Sequence, residues 1–151
     1  MTAAEGSTTT GRVDDEALAA IAAGLADADP GAFLTAGSCR RWALIASNEL
    51  YSAWVIAWPA GTGLGMHDHG GSSAAVQVVR GILRERYVAE GGDDAGGLAV
   101  RWLDPGSLHV LPGDHRHEVV NVGDAEAVSV HVYSPPLVET SFRDDPEIDL
   151  R

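Results

Sequence analysis

The chain contains six histidines, and four of them stand where imidazoles can do chemistry. His67 and His69 flank Asp68 in a His-Asp-His triplet. Alternate residues of an extended strand face the same side, so both rings are expected to point one way. Two neutral imidazoles so placed can hold a metal ion together; a surface pair on a strand is the plain alternative. His117 follows a proline-glycine turn in PGDHRHEVVN, and His131 lies in SVHVYSPP. His109 and His115 read as ordinary loop or strand-end histidines, His115 having the better claim to a site because it neighbours His117. Gly61, Gly63 and Gly65 precede the triplet and allow the backbone to bend tightly there.

The elements that must position these residues are mostly strands. YSAWVIAW (51–58), AAVQVVR (74–80), ILRERYV (82–88), LAVRWL (98–103), LHVLP (108–112), HEVVNV (117–122) and AVSVHVYS (127–134) are short and rich in β-branched or aromatic residues. Gly, Pro and Asp clusters separate them. Short strands at this spacing predict an all-β sandwich or barrel. ILRERYV alternates apolar and charged residues, as a strand with one wet face should. Asp14 to Ala28 is alanine- and leucine-rich with acids at its start, which predicts a helix ended by Pro30-Gly31. A second helical turn is expected over residues 32–36. The resulting division is a flexible tail over 1–12, a helical segment over 13–38, a barrel over 39–136 and an acidic, irregular or partly ordered tail over 137–151. The GGDDAGG stretch (91–97) reads as a flexible loop.

Composition sets the limits. With 151 residues, 45% of them hydrophobic and 21% charged, there is apolar material for one core. No run of eighteen apolar residues predicts a membrane span, and the first residues do not read as a secretory signal. The net charge of −12 repels phosphate, so neither nucleic acid nor an anionic membrane is an expected partner. All ten formal positive charges are arginines, which removes lysine Schiff-base chemistry and the P-loop. The single cysteine, Cys39, forms no internal disulfide and suits a reducing cytoplasm. It reads as a buried or half-buried thiol, and Trp42, Trp54, Trp58 and Trp102 as core or barrel-wall residues.

The spacings carry a resemblance. Gly61 is followed by five residues and His67, then by His69, with Gly81 twelve positions later; Gly106 is followed by five residues and Pro112, then by His117 and Asn121. This resembles the two motifs of the cupin superfamily, G-x5-H-x-H-x3,4-E-x6-G and G-x5-P-x-G-x2-H-x3-N. Two positions depart from the pattern. Ala74 stands in the glutamate position, and Asp114 in that of the second motif's later glycine. The glutamate is usually a fourth metal ligand, so the resemblance leaves a three-histidine set of His67, His69 and His117. IAWPAGTGLGMHDHGGS, VVRG and SVHVYSPP then look like the thiol dioxygenase branch, and within it the cysteine dioxygenases of bacterial type. The likeness runs from about Arg40 to Pro136.

It implies a small cupin β-barrel, the double-stranded β-helix or jelly roll, carrying Fe(II). It also implies a hydrogen-bonded relay of Ser129, His131 and Tyr133 beside the metal. Three imidazoles without a carboxylate keep the ion's full charge, which favours an anionic thiolate. The implied reaction is oxidation of L-cysteine by O2 to cysteine sulfinate. An ungapped count from His67 places the family's carboxylate-binding arginine on Arg41, and a one-residue gap in the hairpin exchanges it for Arg40. Arginine grips a carboxylate with two parallel hydrogen bonds. The cysteine that cross-links to the tyrosine in animal members corresponds to Ala74, so Tyr133 is expected unmodified. Zinc or nickel also suits three histidines. The rivals are a dioxygenase for 3-mercaptopropionate or cysteamine, a non-catalytic cupin that binds a metal or small molecule, and a metal-dependent isomerase. The chain is expected to act as a monomer or small homo-oligomer.

Overall fold

The computed structural model describes residues 11–89, 97–137 and 146–151. Residues 1–10 of the expected tail and 91–96 of the expected loop lie outside the described residues. The helix α1 spans Asp15–Ala26. Asp14 caps it, its carboxylate accepting from the Ala17 amide at 2.8 Å, and Asp15 and Glu16 occupy the positive first turn. The next turn is a 3-10 helix at Pro30–Phe33 instead of over 32–36, because Pro30 starts a helical turn readily.

Ten strands follow: β1 (Arg41–Ser47), β2 (Ser52–Trp58), β3 (Thr62–His67), β4 (Ser73–Arg80), β5 (Leu83–Tyr87), β6 (Ala99–Leu103), β7 (Leu108–Leu111), β8 (His117–Val120), β9 (Ala127–Ser134) and β10 (Glu147–Asp149). They form two antiparallel sheets, β1-β2-β9-β4-β7 and β10-β3-β8-β5-β6, whose inner faces enclose the core. This is the small β-barrel expected. Among the described residues no helix is long and apolar enough to cross a membrane.

Every residue of β2 and of β9 is buried, because both faces of these central strands are covered. Trp54, Ile56 and Trp58 point into the barrel, opposite His131, Ser129 and Ala127 of β9. The odd-facing Ala53, Val130 and Val132 meet Leu18 and Ala22 of α1 on the outside. Leu18 is fully buried there, a contribution of about 1.5–3 kcal/mol. The helix therefore seals the back of the strand that carries the serine-histidine-tyrosine row.

Three expectations change. Trp102 is 53% exposed on the outer face of β6, an edge strand with nothing beyond it among the described residues. Cys39 is exposed, because it precedes β1 on the surface. The acidic tail, expected irregular or partly ordered, supplies β10, whose Glu147 and Ile148 pair with Leu64 and Gly63 of β3. Gly63 is required in that position: a Cβ there would lie 2.3 Å from the Val119 carbonyl oxygen and 2.7 Å from the Val120 Cα. The glycines that obscure β3 as a strand in the sequence are what let it sit between β8 and β10.

Candidate metal centre and relay

His67 ends β3 and lies directly opposite His117 of β8 in the register. Directly opposed residues share a face, so their rings approach with centroids 4.6 Å apart. The strand stops at His67, and His69 is brought back by a turn. In that turn Asp68 accepts from the Gly70 amide at 2.9 Å and the Ser72 amide donates to the His69 carbonyl. Gly70 and Gly71 both have positive φ, which this reversal needs. The shared direction of His67 and His69 thus comes from a turn and not from strand alternation. Their centroids are 5.2 Å apart, and His69 to His117 is 5.1 Å. One ring nitrogen of each histidine lies within 4.8 Å of those of the other two.

The ring orientations suit a metal. His67 Nδ1 donates to the Gly65 carbonyl at 2.7 Å, and His117 Nδ1 donates to the Glu85 carboxylate at 2.6 Å. Each ring then keeps an Nε2 lone pair for a ligand. Burial, together with the neighbouring imidazoles, lowers His69 to about 2 and His117 to about 4. For His117 the Glu85 carboxylate opposes the desolvation. Both rings are therefore neutral at pH 7, as ligation requires. His69 Nδ1 is buried without a hydrogen-bond partner among the described residues. Three neutral nitrogen donors on one centre fit a borderline divalent first-row ion better than a hard oxygen-seeking one.

The first sheet, through β9, carries the serine-histidine-tyrosine row. Ser129, His131 and Tyr133 alternate along β9 and face inward. Trp58 Nε1 donates to Ser129 Oγ at 2.8 Å, because an indole nitrogen can only donate. Ser129 Oγ also hydrogen-bonds His131 Nε2 at 2.6 Å. The other ring nitrogen, Nδ1, lies 3.3 Å from the Tyr133 oxygen, so both nitrogens of His131 have a partner in the row. Burial, with His117, His67 and Arg40 nearby, lowers His131 to about 3 and keeps it neutral. The Tyr133 ring lies 5.1 Å from that of His69. Both rings line an open cleft of about 480 Å³, along with Arg12, Asp68, Ser72 and Pro135. Behind them the barrel closes on a space of about 10 Å³ among Val76, Leu83, Leu111, Val119, His117 and His131.

The two candidate arginines turn in opposite directions. Arg41, favoured by the ungapped count, turns outward: its guanidinium donates to the carbonyls of Thr35, Gly37 and Cys39 and to Glu126. Arg40 turns inward. Its guanidinium carbon lies 4.8 Å from the Trp42 ring and 5.9 Å from that of Trp58, and one nitrogen meets Glu147 at 3.3 Å. β1 also carries a bulge: it pairs regularly with β2 up to Leu44–Trp54 and resumes at Ala46–Ala53, so Ile45 is an extra residue.

Two residues gain parts that the sequence reading missed. Glu85, buried in β5, accepts from His117, His115 and Arg101, and these donors outweigh its burial and hold its carboxyl well below the usual range. His115 is thus part of a buried polar cluster. His109, read as ordinary, lines the closed interior space with a buried Nε2 that has no partner among the described residues. The signal for Glu85 was its parity, since it shares the inward face of β5 with Leu83.

The fold is shared widely at low identity. KdgF from Halomonas sp. superposes with a TM-score of 0.58 at 16% identity, covering 72% of this chain and 89% of that one. The Cnp3 cupin domain of Schizosaccharomyces pombe gives 0.54 at 12% identity, covering 63% and 60%. In sequence, cysteine dioxygenase type 1 of Homo sapiens and that of Bos taurus are each 26% identical over 107 residues. Those alignments cover 60% of this chain and 48% of the relatives, so the chain spans about half their length. Residues 32–144 of the 151 match the family described as cysteine dioxygenase type I. That stretch contains all three clustered histidines, the serine-histidine-tyrosine row and both arginines, and the chain belongs to this cupin family.

Proposed function

We propose that this chain is a thiol dioxygenase that holds Fe(II) on His67, His69 and His117 and oxidises L-cysteine with O2 to cysteine sulfinate. The observation that carries the reading is the hydrogen-bonded row from Trp58 through Ser129 and His131 to Tyr133, which ends beside His69 on the wall of the open cleft. A protein that merely stored a metal would have no use for a buried row of proton-bearing groups aimed at it. The iron, when bound, supplies the redox electrons and open positions for thiolate and O2.

The chain's own residues do the rest. His67 and His117 present Nε2 because their Nδ1 protons are already placed. The Tyr133 hydroxyl is held 3.3 Å from His131 Nδ1, which fixes where its oxygen sits beside the His69 ring. Arg40 is the substrate-carboxylate residue in this reading, its guanidinium carbon 4.8 Å from the Trp42 ring and 5.9 Å from that of Trp58; a planar guanidinium can grip a carboxylate with parallel hydrogen bonds. Cysteamine has no carboxylate for it, which favours cysteine or 3-mercaptopropionate.

The test is anaerobic iron loading followed by O2 uptake with cysteine, 3-mercaptopropionate and cysteamine, with product masses. Cysteine is expected to give the highest kcat/KM and a mass gain of two oxygen atoms. Preference for 3-mercaptopropionate would move the substrate within the class. No O2 uptake with any thiol at full iron occupancy would refute the reading.

A further inference from the structure

The cupin motif usually provides a carboxylate at the position of Ala74, and here that position cannot ligate anything. Ala74 is buried in β4 opposite Tyr133. We propose that Glu85 supplies the missing carboxylate at one remove, as a positioning residue that locks His117 in its metal-binding tautomer and lends the three-imidazole set its negative charge. This rests on the reading of His67, His69 and His117 as a metal site and not on the thiol reaction.

Glu85 comes from β5, next to β8 in the second sheet, and so approaches His117 from behind. Its oxygens are fully used. Oε1 accepts from Arg101 Nε at 2.8 Å and from Arg101 Nη2 at 2.6 Å. Oε2 accepts from His117 Nδ1 at 2.6 Å and His115 Nε2 at 2.8 Å. Four donors on two oxygens fix the carboxylate in position and orientation. It cannot swing round to become a ligand itself.

The consequences are chemical. A carboxylate on Nδ1–H excludes the tautomer that would place the proton on Nε2, and it makes Nε2 a stronger donor. Arg101, half-buried on the edge strand β6, sets how much of the charge is felt. His67 has only a neutral carbonyl in the corresponding place, so His117 is the more strongly donating ring.

Glu85→Gln is the sharp probe because it keeps the shape. Arg101 will claim the amide oxygen, which leaves the NH2 group facing His117. A donor there requires Nδ1 as acceptor and moves the His117 proton to Nε2. In the apoprotein, long-range proton-nitrogen NMR should show His117 protonated at Nδ1 in the wild type and at Nε2 in Glu85→Gln. Calorimetric titration with Co(II) alone should show affinity about 10-fold weaker in Glu85→Gln and about 100-fold weaker in Glu85→Ala. Arg101→Met leaves the carboxylate in place and should bind Co(II) more tightly, the opposite sign. If Glu85→Ala does not fold, the glutamine variant and Arg101→Met decide the matter. Wild-type Co(II) affinity in Glu85→Gln, or both His117 tautomers populated in the wild-type apoprotein, overturns the proposal. These readouts need no turnover, so a wild-type protein that binds Co(II) but oxidises no thiol would sink the dioxygenase reading alone.

Discussion

The metal-free protein is expected to lose a large part of its stability between pH 7 and pH 5, and the loss can be worked from three imidazoles. In an unfolded chain a histidine titrates near 6.5. In the fold His69 is lowered to about 2, His131 to about 3 and His117 to about 4, in each case chiefly by burial. All three folded-state values lie below the unfolded one, so protons bind preferentially to the unfolded chain. Their stabilising effect is complete above pH 6.5 and is lost as pH falls towards the folded values. Each proton taken up only on unfolding costs about 1.4 kcal/mol per pH unit. From pH 7 to pH 5 that is about 2 kcal/mol per histidine, or about 6 kcal/mol for the three. A domain of this size has about 5–15 kcal/mol in total. Glu85 adds to the loss only below the ordinary carboxylate range, so it does not blur this window. The assay is urea unfolding with chelator present at pH 7, 6 and 5. The slope of stability against pH below 6 should correspond to about three protons, falling to about two in His131→Asn. A midpoint unchanged from pH 7 to pH 5 would refute the argument, since it would mean that these imidazoles are as easily protonated in the fold as out of it.

Tyr133→Phe keeps the ring and its place beside His69 and removes the hydroxyl; iron content should stay near wild type while kcat falls about 10–1000-fold. O2 consumption per sulfinate formed should rise in that variant, and wild-type kcat with wild-type coupling would make the row purely structural. Arg40→Gln should raise KM for cysteine at least about 10-fold, the loss of one charge-assisted contact, and leave cysteamine unaffected. Arg41→Gln should leave both KM values alone and instead lower stability by about 1–3 kcal/mol, because its guanidinium ties the 35–39 segment and Glu126 to the start of β1. Gly63→Ala should cost more than about 3 kcal/mol or prevent folding, since the added carbon meets backbone atoms that cannot move aside; a melting temperature within a few degrees of wild type would show that β3 is not pinned between its neighbours.

The parts of this molecule legible in the sequence are those set by local pattern. The alternation of Ser129, His131 and Tyr133 with Val128, Val130 and Val132 assigns each residue of β9 to one of two faces, whichever neighbours it acquires. The acidic cap and alanine-rich run of α1 are likewise local, and so is the spacing that relates His67, His69 and His117. The C-terminal strand was not legible, because Glu147–Asp149 becomes a strand only by completing an edge that β3 offers. Nor were the opposite directions of Arg40 and Arg41 towards partners distant in sequence, Glu147 for the one and Glu126 for the other. Glu85 shows the limit most plainly. In sequence it is one charge among arginines on a half-wet strand, eleven residues from the alanine whose place in the motif it serves. Only the pairing of β5 with β8 sets its carboxylate behind His117, and only Arg101 and His115 make a buried charge tolerable there. Spacing along the chain brought the three histidines into view, but the charge and tautomer of the site depend on side chains that meet only across the sheet.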